Sequence, residues 1–414
     1  MVLGVVRLCE YVYEYISDQY FLPRFWYSTL PLDRFSMTTK TLVSVCIGGA
    51  AVLLFQAIRS KLRERSSPLP LSGFEQLVGR TPLVKLQGLS RLLGCEVYGK
   101  AEFMNPGGSV KDRVALAIMK SVPPGAIVYE GTSGSTGISL TLAARAKGHD
   151  AVIVMPDDQA KEKKDLIRAL GARLELVRPM SIVDPNHMCK SAERAARDDP
   201  LGIFANQFEN RLNFKTHYET TAVEILDQTN RRVSVFIASA GTGGTIAGVS
   251  ARLKLELGKS RIKCILADPQ GSALASRINH GTLFNPRDRE GHRVRHPFDT
   301  VTEGVGLNRL TDNFQLGVSF IDKGFEVSDL EAVKMSRYLL RTEGLFLGSS
   351  SALNCAAIVK AFKAGLVKTG DVVVTILCDS GTRHVSKFWS DSYLEPLGLC
   401  IRQEDCLSPL DFIT

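Results

Sequence analysis

The sequence predicts an α/β fold in which parallel β-sheets are covered by helices. Apolar segments typical of buried strands alternate with helical segments, as at 152–155 and 161–170. This alternation favours parallel strands joined by helical crossovers. Two apolar segments also run into glycine-containing loops that open helices. A chain of 414 residues with 44% hydrophobic residues can bury a large core and should form two lobes.

The N-terminal 70 residues are predicted to attach this fold to a membrane. Residues 41–58 carry no charged side chain and would span about 27 Å as a helix. Basic residues follow at once, which favours a cytosolic position for the rest of the chain. The run begins too late for a cleaved signal peptide. We therefore expect a tail over 1–40, a transmembrane anchor over 41–58 and a basic, proline-containing linker over 59–70, with a core helix as the alternative for the anchor.

One lysine lies at the junction of a glycine-containing turn and a helix. The turn is Asn105-Pro106-Gly107-Gly108, and residues 110–120 have the pattern of an amphipathic helix. The positive end of the helix disfavours the ammonium form of Lys111, which favours a neutral amine that can attack an aldehyde cofactor. On this segment alone, a surface lysine beside an ordinary turn is the alternative.

A second glycine-containing segment, Gly241-Thr242-Gly243-Gly244-Thr245, follows an apolar strand over 233–239 and precedes a helix. This arrangement points backbone N–H groups at an anion. The segment is not a Walker loop, because no lysine follows, and not a dinucleotide fingerprint, because Ile246 stands where glycine is needed. It predicts a pocket for one phosphate, with the two threonine hydroxyls as donors. A flexible turn is the alternative.

Two further loops end predicted strands. Thr132-Ser133-Gly134-Ser135-Thr136-Gly137 follows the strand over 126–129, and its hydroxyl groups at a helix start suit a small carboxylate. Asp379-Ser380-Gly381 ends the strand over 372–377. Open α/β sheets bind ligands at the carboxyl ends of their strands, where these loops lie. With Lys111, the loops indicate pyridoxal 5'-phosphate acting on an amino acid.

The chain resembles the cysteine synthase and cystathionine β-synthase family of fold-type II pyridoxal-phosphate enzymes, and within it the fungal mitochondrial outer-membrane cysteine synthase-like proteins. The matching segments are Gly79 to Val84, Asn105 to Arg113, Thr132 to Gly137, Asn206 to Phe208, Gly241 to Thr245 and Asp379-Ser380. The resemblance implies a catalytic domain over 71–394, with a smaller lobe at about 115–215, the cofactor between two parallel-sheet lobes, a C-terminal tail over 395–414 and a homodimer.

The resemblance also implies roles for individual residues. Lys111 would be the Schiff-base lysine, and Ser380 would hydrogen-bond the pyridine nitrogen. The cofactor phosphate would be held by Gly241, Thr242, Gly243, Gly244 and Thr245. The substrate α-carboxylate would be bound by Thr132, Ser133, Thr136 and Gln207. Ser135 would contact the cofactor, although the family usually has the longer asparagine at this position, and the change is expected to weaken ordinary cysteine synthase activity.

The reaction implied is a cysteine synthase-type transfer, in which O-acetyl-L-serine and sulfide give L-cysteine and acetate. Two alternatives remain at this point. One is another elimination on the same cofactor, namely serine or threonine deamination or cysteine desulfhydration. The other is a membrane-tethered relative without activity, suggested by Ser135 and the anchor. The expected location is the mitochondrial outer membrane, single-pass, with the catalytic domain facing the cytosol, and the endoplasmic reticulum is the alternative.

Composition argues against several other classes of function. The formal net charge of +8 is spread along the chain, which argues against a nucleic-acid partner. Nine cysteines without a Cys-x-x-Cys pair or a zinc-like cluster indicate a reducing compartment and no metal site. The basic loop Arg287–His296 also contains acidic residues and is expected to be solvated.

Overall fold

The computed structural model describes residues 71–284, 300–399, 401–402 and 406–414. From Ser72 onward these residues belong to one structural unit. The anchor predicted over 41–58, with its flanking tail and linker, lies outside the described residues, and so does the basic loop predicted over 287–296.

The predicted fold class is right in its α/β part and wrong in its transmembrane helix. No helix within the described residues is long and apolar enough to cross a membrane. The longest of these helices have 15 residues, or about 22 Å, whereas a hydrocarbon core is about 30 Å thick. The prediction rested on the length and uncharged composition of 41–58 and on the basic residues that follow, and these features do not by themselves establish a spanning helix.

The described strands form two sheets. In chain order the strands are β1 (Leu83–Lys85), β2 (Glu96–Ala101), β3 (Ile127–Gly131), β4 (Asp150–Pro156), β5 (Arg173–Val177), β6 (Gly202–Phe204), β7 (Val235–Ser239), β8 (Lys263–Pro269), β9 (Lys323–Val327) and β10 (Val372–Leu377). The larger sheet has the order β1-β2-β10-β7-β8-β9 and the smaller one β5-β4-β3-β6. Every pairing is parallel except that of β1 with β2.

Helices connect and cover these strands. The α-helices are α1 (Phe74–Leu77), α2 (Gln87–Leu93), α3 (Lys111–Met119), α4 (Ser135–Ala146), α5 (Lys161–Ala169), α6 (Met188–Asp198), α7 (Leu212–Thr216), α8 (Ala222–Gln228), α9 (Gly244–Leu257), α10 (Leu274–His280), α11 (Asp312–Gln315), α12 (Asp329–Glu343), α13 (Ser349–Lys363), α14 (Asp391–Leu394) and α15 (Pro409–Phe412). One turn of π-helix, His217–Thr221, joins α7 to α8. Short 3-10 turns lie at Glu102–Met104, Val318–Phe320, Gly381–Arg383 and Glu395–Leu397.

The central strands of the larger sheet are apolar because both of their faces are covered. All residues of β7 and β10 are buried. Successive side chains of a strand point to opposite faces, and accordingly Val373 packs in the cluster with α12 and α13, whereas Val374 packs in the cluster with α9. Burial on both faces therefore accounts for the mostly apolar sequence of these strands.

The smaller sheet repeats this arrangement with strands taken from residues 127–204. Ile153 packs with α3 and α4 on one face, and the neighbouring Val152 packs near α6 on the other. The parallel strands β3, β7 and β10 each end in one of the loops singled out from the sequence. The lobe boundaries at 115 and 215 stay a prediction.

Candidate active site

A cavity of about 550 Å³ lies at the carboxyl ends of β3, β7 and β10, a size typical of small-molecule sites. Its wall brings together most of the residues predicted from the sequence, namely Lys111, Thr132, Ser133, Ser135, Thr136, Gln207, Gly241, Thr242, Gly243 and Thr245. Two predicted residues, Gly244 and Ser380, are not part of this wall. Segments separated by more than a hundred positions in the sequence thus converge on one space.

Lys111 is the first residue of α3 and reaches the cavity from the turn that precedes it. The preceding Val110 anchors this helix start, since its backbone N–H donates to the carbonyl oxygen of Cys378 at 3.0 Å. Burial lowers the pKa of the Lys111 amine, and the nearby Cys378 and Asp379 oppose this effect. The lowered pKa favours a neutral amine, which is the form that attacks a carbonyl or removes a proton.

The turn before Lys111 is held by the side chain of Asn105. Its Nδ2 donates to the carbonyl oxygen of Glu102 at 2.8 Å and to that of Ser109 at 3.2 Å, and its Oδ1 accepts from the backbone of Gly79. Gly108 has a φ of 75°, a left-handed conformation that favours glycine. The asparagine and the glycine of this motif are therefore required by backbone geometry.

The glycines of the Gly241–Thr245 loop form a cradle that has no room for side chains. A Cβ at Gly241 would lie 2.1 Å from the carbonyl oxygen of Gly304, and one at Gly244 would lie 2.0 Å from Asn213 Oδ1. Gly243, with a φ of 87°, precedes α9, and no side chain caps this helix. The first N–H groups of α9 are therefore available to an anion, as a phosphate requires.

Both threonines of this loop are held by buried side chains. Thr242 Oγ1 accepts from Asn213 Nδ2 at 2.8 Å, and Thr245 Oγ1 lies 3.1 Å from Nε2 of His217. The other ring nitrogen of His217 lies 2.9 Å from Thr221 Oγ1. Burial and the nearby cations lower the pKa of His217 well below its ordinary value. The imidazole is therefore neutral at physiological pH and positions Thr245 without adding a charge.

The Thr132–Gly137 loop opens α4 at Ser135. Gly134 precedes this helix with a φ of 139°, no side chain caps it, and its first turn contains no acidic residue. The N–H groups at the start of α4 can thus receive a carboxylate. Thr136 Oγ1 donates to Gln207 Oε1 at 2.5 Å, and this bond fixes the orientation of the Gln207 amide.

Gln207 is held mainly by a buried carboxyl group that was not predicted from the sequence. Its Nε2 donates to Glu130 Oε1 at 3.2 Å and to the carbonyl oxygen of Gly131 at 3.3 Å, and its backbone N–H donates to Glu130 Oε2. Burial raises the pKa of Glu130 to about 8, although the Gln207 N–H groups oppose this. Both amide hydrogens of Gln207 are used within the protein, so its side chain supports the wall. The only signal in the sequence was an acidic residue that continues an apolar strand.

Two serines lie near the far side of the cavity, and the role predicted for Ser380 stays a prediction. Ser380 lies outside the cavity wall, where its Oγ accepts from the backbone and hydroxyl of Thr382. Ser350, in the first turn of α13, lines the cavity instead, together with Asn354 and Cys378. Asn354 Oδ1 is buried and has no partner within the described residues. The missed signal was a glycine followed by three serines at a helix start.

A cluster of charged side chains forms another part of the wall. Glu303 pairs with Lys163, and its Oε1 lies 3.2 Å from Nζ of Lys387. Burial alone would raise the pKa of Glu303, but Lys163, His384 and Lys387 lower it to about 2. Asp379 pairs with Nε2 of His384 at 3.0 Å. The cluster joins three segments that show no common motif, and so the sequence did not reveal it.

Comparisons with known proteins agree with this geometry. Residues 74–379 match the family model described as pyridoxal-phosphate dependent enzyme. A Saccharomyces cerevisiae protein, named provisionally as a mitochondrial cysteine synthase, is 44% identical over 376 residues, which cover 85% of this chain and 95% of the relative. Cysteine synthase 2 of Schizosaccharomyces pombe is 42% identical over 389 residues, which cover 89% of this chain and 97% of the relative.

Solved structures show the same architecture. The crystal structure of O-ureido-L-serine synthase has a TM-score of 0.66 and 31% identity to this chain, and covers 78% of this chain and 95% of that one. The O-acetylserine dependent cystathionine beta-synthase from Helicobacter pylori has a TM-score of 0.66 and 29% identity, and covers 77% of this chain and 99% of that one. The chain therefore belongs to the pyridoxal-phosphate dependent enzyme family.

Proposed function

We propose that this enzyme is a cysteine synthase that converts O-acetyl-L-serine and sulfide into L-cysteine and acetate. The observation that carries the proposal is the position of Lys111, whose buried amine shares one cavity with two uncapped helix N-termini. One N-terminus suits a phosphate and the other a carboxylate. The relatives named cysteine synthases support the choice of substrates.

The residues present fit pyridoxal 5'-phosphate. The glycine cradle before α9 would hold its phosphate with backbone N–H groups, since Gly304 and Asn213 leave no room for a Cβ on Gly241 or Gly244. Lys111 would bind the aldehyde carbon through its amine. The hydroxyl of Ser350, which lines the cavity together with Cys378, would take the role predicted for Ser380. When bound, the cofactor supplies an electron sink for the charge that develops on the substrate α-carbon.

Lys111 would also move the proton of the reaction. Its Nζ would accept the α-proton of the substrate and later return it to the α-carbon. Acetate leaves from the β-carbon and the sulfur of sulfide forms the new bond there. The N–H groups at the start of α4 would hold the substrate carboxylate throughout, with the hydroxyls of Thr132 and Ser133 in the same wall.

We further propose a mitochondrial location and a homodimer. The location is supported by the Saccharomyces cerevisiae relative, whose name places it in the mitochondrion. The homodimer is supported by the family resemblance. Cell fractionation and light scattering of the purified protein test the two proposals separately.

The direct test is the formation of cysteine by the full-length protein, purified with pyridoxal 5'-phosphate. We expect wild-type protein to convert O-acetyl-L-serine and sulfide, and Lys111→Ala to lower turnover by at least about 100-fold. Lys120→Ala is the matched control, because Lys120 ends the same helix and is exposed. A Lys111→Ala protein with unchanged turnover would refute the role of this lysine. A wild-type protein that released pyruvate from serine without forming cysteine would refute the choice of substrate.

A further inference from the structure

Arg383 is a buried cation that contacts Ser135 of the cavity wall and does not itself line the cavity. Only 7% of its surface is exposed. Its Nη1 donates to Ser135 Oγ at 3.3 Å. A Cβ at Gly108 would lie 3.0 Å from its Nη2. The guanidinium group therefore contacts both the turn that precedes Lys111 and the first residue of α4.

This position is electrostatically unusual. The start of α4 already carries the positive end of a helix dipole, and its first turn contains no acidic residue. Asp379 and Asp112 attract Arg383, but both have other partners. Asp379 pairs with His384 at 3.0 Å, and Asp112 accepts from the backbone N–H of Gly107 at 2.5 Å. The positive end of α4 and the guanidinium group together favour an anion on the cavity side.

The hydrogen bond between the two side chains has a defined direction. A guanidinium group only donates hydrogen bonds, so Ser135 Oγ must be the acceptor. The hydroxyl hydrogen of Ser135 is then left for another acceptor. Because Ser135 lines the cavity, a ligand bound there can be that acceptor. The adjacent cation in a low-dielectric wall strengthens the bond that the hydroxyl donates.

We propose that Arg383 is a positioning residue that holds the Ser135 hydroxyl as a charge-assisted donor to an oxyanion of the bound ligand. The oxyanion belongs either to the ring of the cofactor or to the carboxylate of the substrate. The proposal rests on the function proposed above and extends it to a residue that does not itself line the cavity.

A double-mutant cycle tests whether Arg383 acts through Ser135. We expect Arg383→Gln and Ser135→Ala each to lower kcat/KM roughly ten- to hundred-fold. The double variant should be no worse than Ser135→Ala, because the arginine then has no hydroxyl to orient. Arg383→Lys, which keeps the charge, should recover part of the loss. Thermal unfolding of each variant separates this effect from loss of folding.

Two binding measurements identify the oxyanion. If it belongs to the cofactor, Arg383→Gln should raise the pH at which the absorbance of the bound cofactor changes in the absence of substrate, because a nearby cation stabilises the ionised form. If it belongs to the substrate, that pH should stay the same, and the protein should bind O-acetyl-L-serine more weakly. Either result supports the proposal.

The matched control is Arg337→Gln, which removes a half-buried arginine stacked 4.0 Å from the ring centroid of Trp389. It should change neither measurement.

Additive losses in the double variant, or an Arg383→Gln protein that matches wild type in both measurements, would overturn the proposal. A wild-type protein that binds cofactor and O-acetyl-L-serine but forms no cysteine would refute the proposed function and leave these two measurements valid.

Discussion

Replacing Glu303 by glutamine should strongly destabilise the protein at neutral pH. Its side chain is 9% exposed and that of Lys163 is 3% exposed, so water screens this ion pair little. Nζ of Lys387 also pairs with Oε1 of Glu303, at 3.2 Å. The Glu303→Gln variant leaves two lysines without their carboxylate, and breaking a buried pair in this way typically costs about 3–5 kcal/mol.

The pH dependence of stability gives an independent value for the contribution of the Glu303 carboxylate to the free energy of unfolding. Glu303 has a pKa of about 2 in the folded protein, against an ordinary value of 4.5. Because the folded-state pKa is the lower one, the stabilisation is fully present above pH 4.5 and is lost as the pH falls toward 2. The difference corresponds to about 3 kcal/mol, of which roughly half or less remains near pH 3.

Urea denaturation followed by circular dichroism measures this effect. The free energy of unfolding of Glu303→Gln should be about 3 kcal/mol below that of wild type at pH 7, and the gap should narrow near pH 3. Asp165→Asn is the control, because it breaks the exposed Lys161–Asp165 pair, whose side chains are 78% and 48% exposed, and it should have no measurable effect. A gap below about 1 kcal/mol at pH 7, or one that does not depend on pH, would refute the reasoning.

Three further predictions concern the cavity. Gly243→Ala should abolish cofactor binding in equilibrium dialysis, because a Cβ there would lie 2.5 Å from the Phe314 side chain. Gly258→Ala should leave cofactor binding unchanged, since Gly258 also has a positive φ but no atom lies within 4 Å of a Cβ placed there. Ser350→Ala should lower kcat/KM roughly tenfold, whereas Ser380→Ala should not, and equal effects would contradict the assignment. Because burial raises the pKa of Glu130 to about 8, wild-type stability should fall between pH 4.5 and 8, and Glu130→Gln should remove this slope in urea titrations.

The resemblance to relatives and the local motifs predicted the fold and the cofactor well. The strand, glycine loop and helix around Gly241–Thr245 are specified by neighbouring residues, since positive φ angles and helix starts depend on local sequence. The same holds for the turn before Lys111, which Asn105 and Gly108 shape. Such features are visible in the sequence because each is formed within about ten residues.

The sequence could not determine which of two serines, Ser350 or Ser380, lines the cavity. Ser350 and Ser380 both lie next to the carboxyl end of β10, and the chain segments that carry them pair through a bridge between Leu347 and Ser380. This pairing directs Ser380 to its own turn, while α13 brings Ser350 to the cavity. Only the packing of two segments distant in sequence distinguishes them.

The amino-acid sequence by itself determined the α/β class and predicted the attachment lysine and the phosphate-binding loop, because these depend on local backbone chemistry. The tertiary structure alone decided the surroundings of Glu130, Arg383 and the Glu303 cluster. Each of these groups is ionisable and buried, and its main partners lie far away in the sequence. Burial in a low-dielectric interior sets their pKa values and their pairing, and the sequence does not show which residues the fold will enclose together.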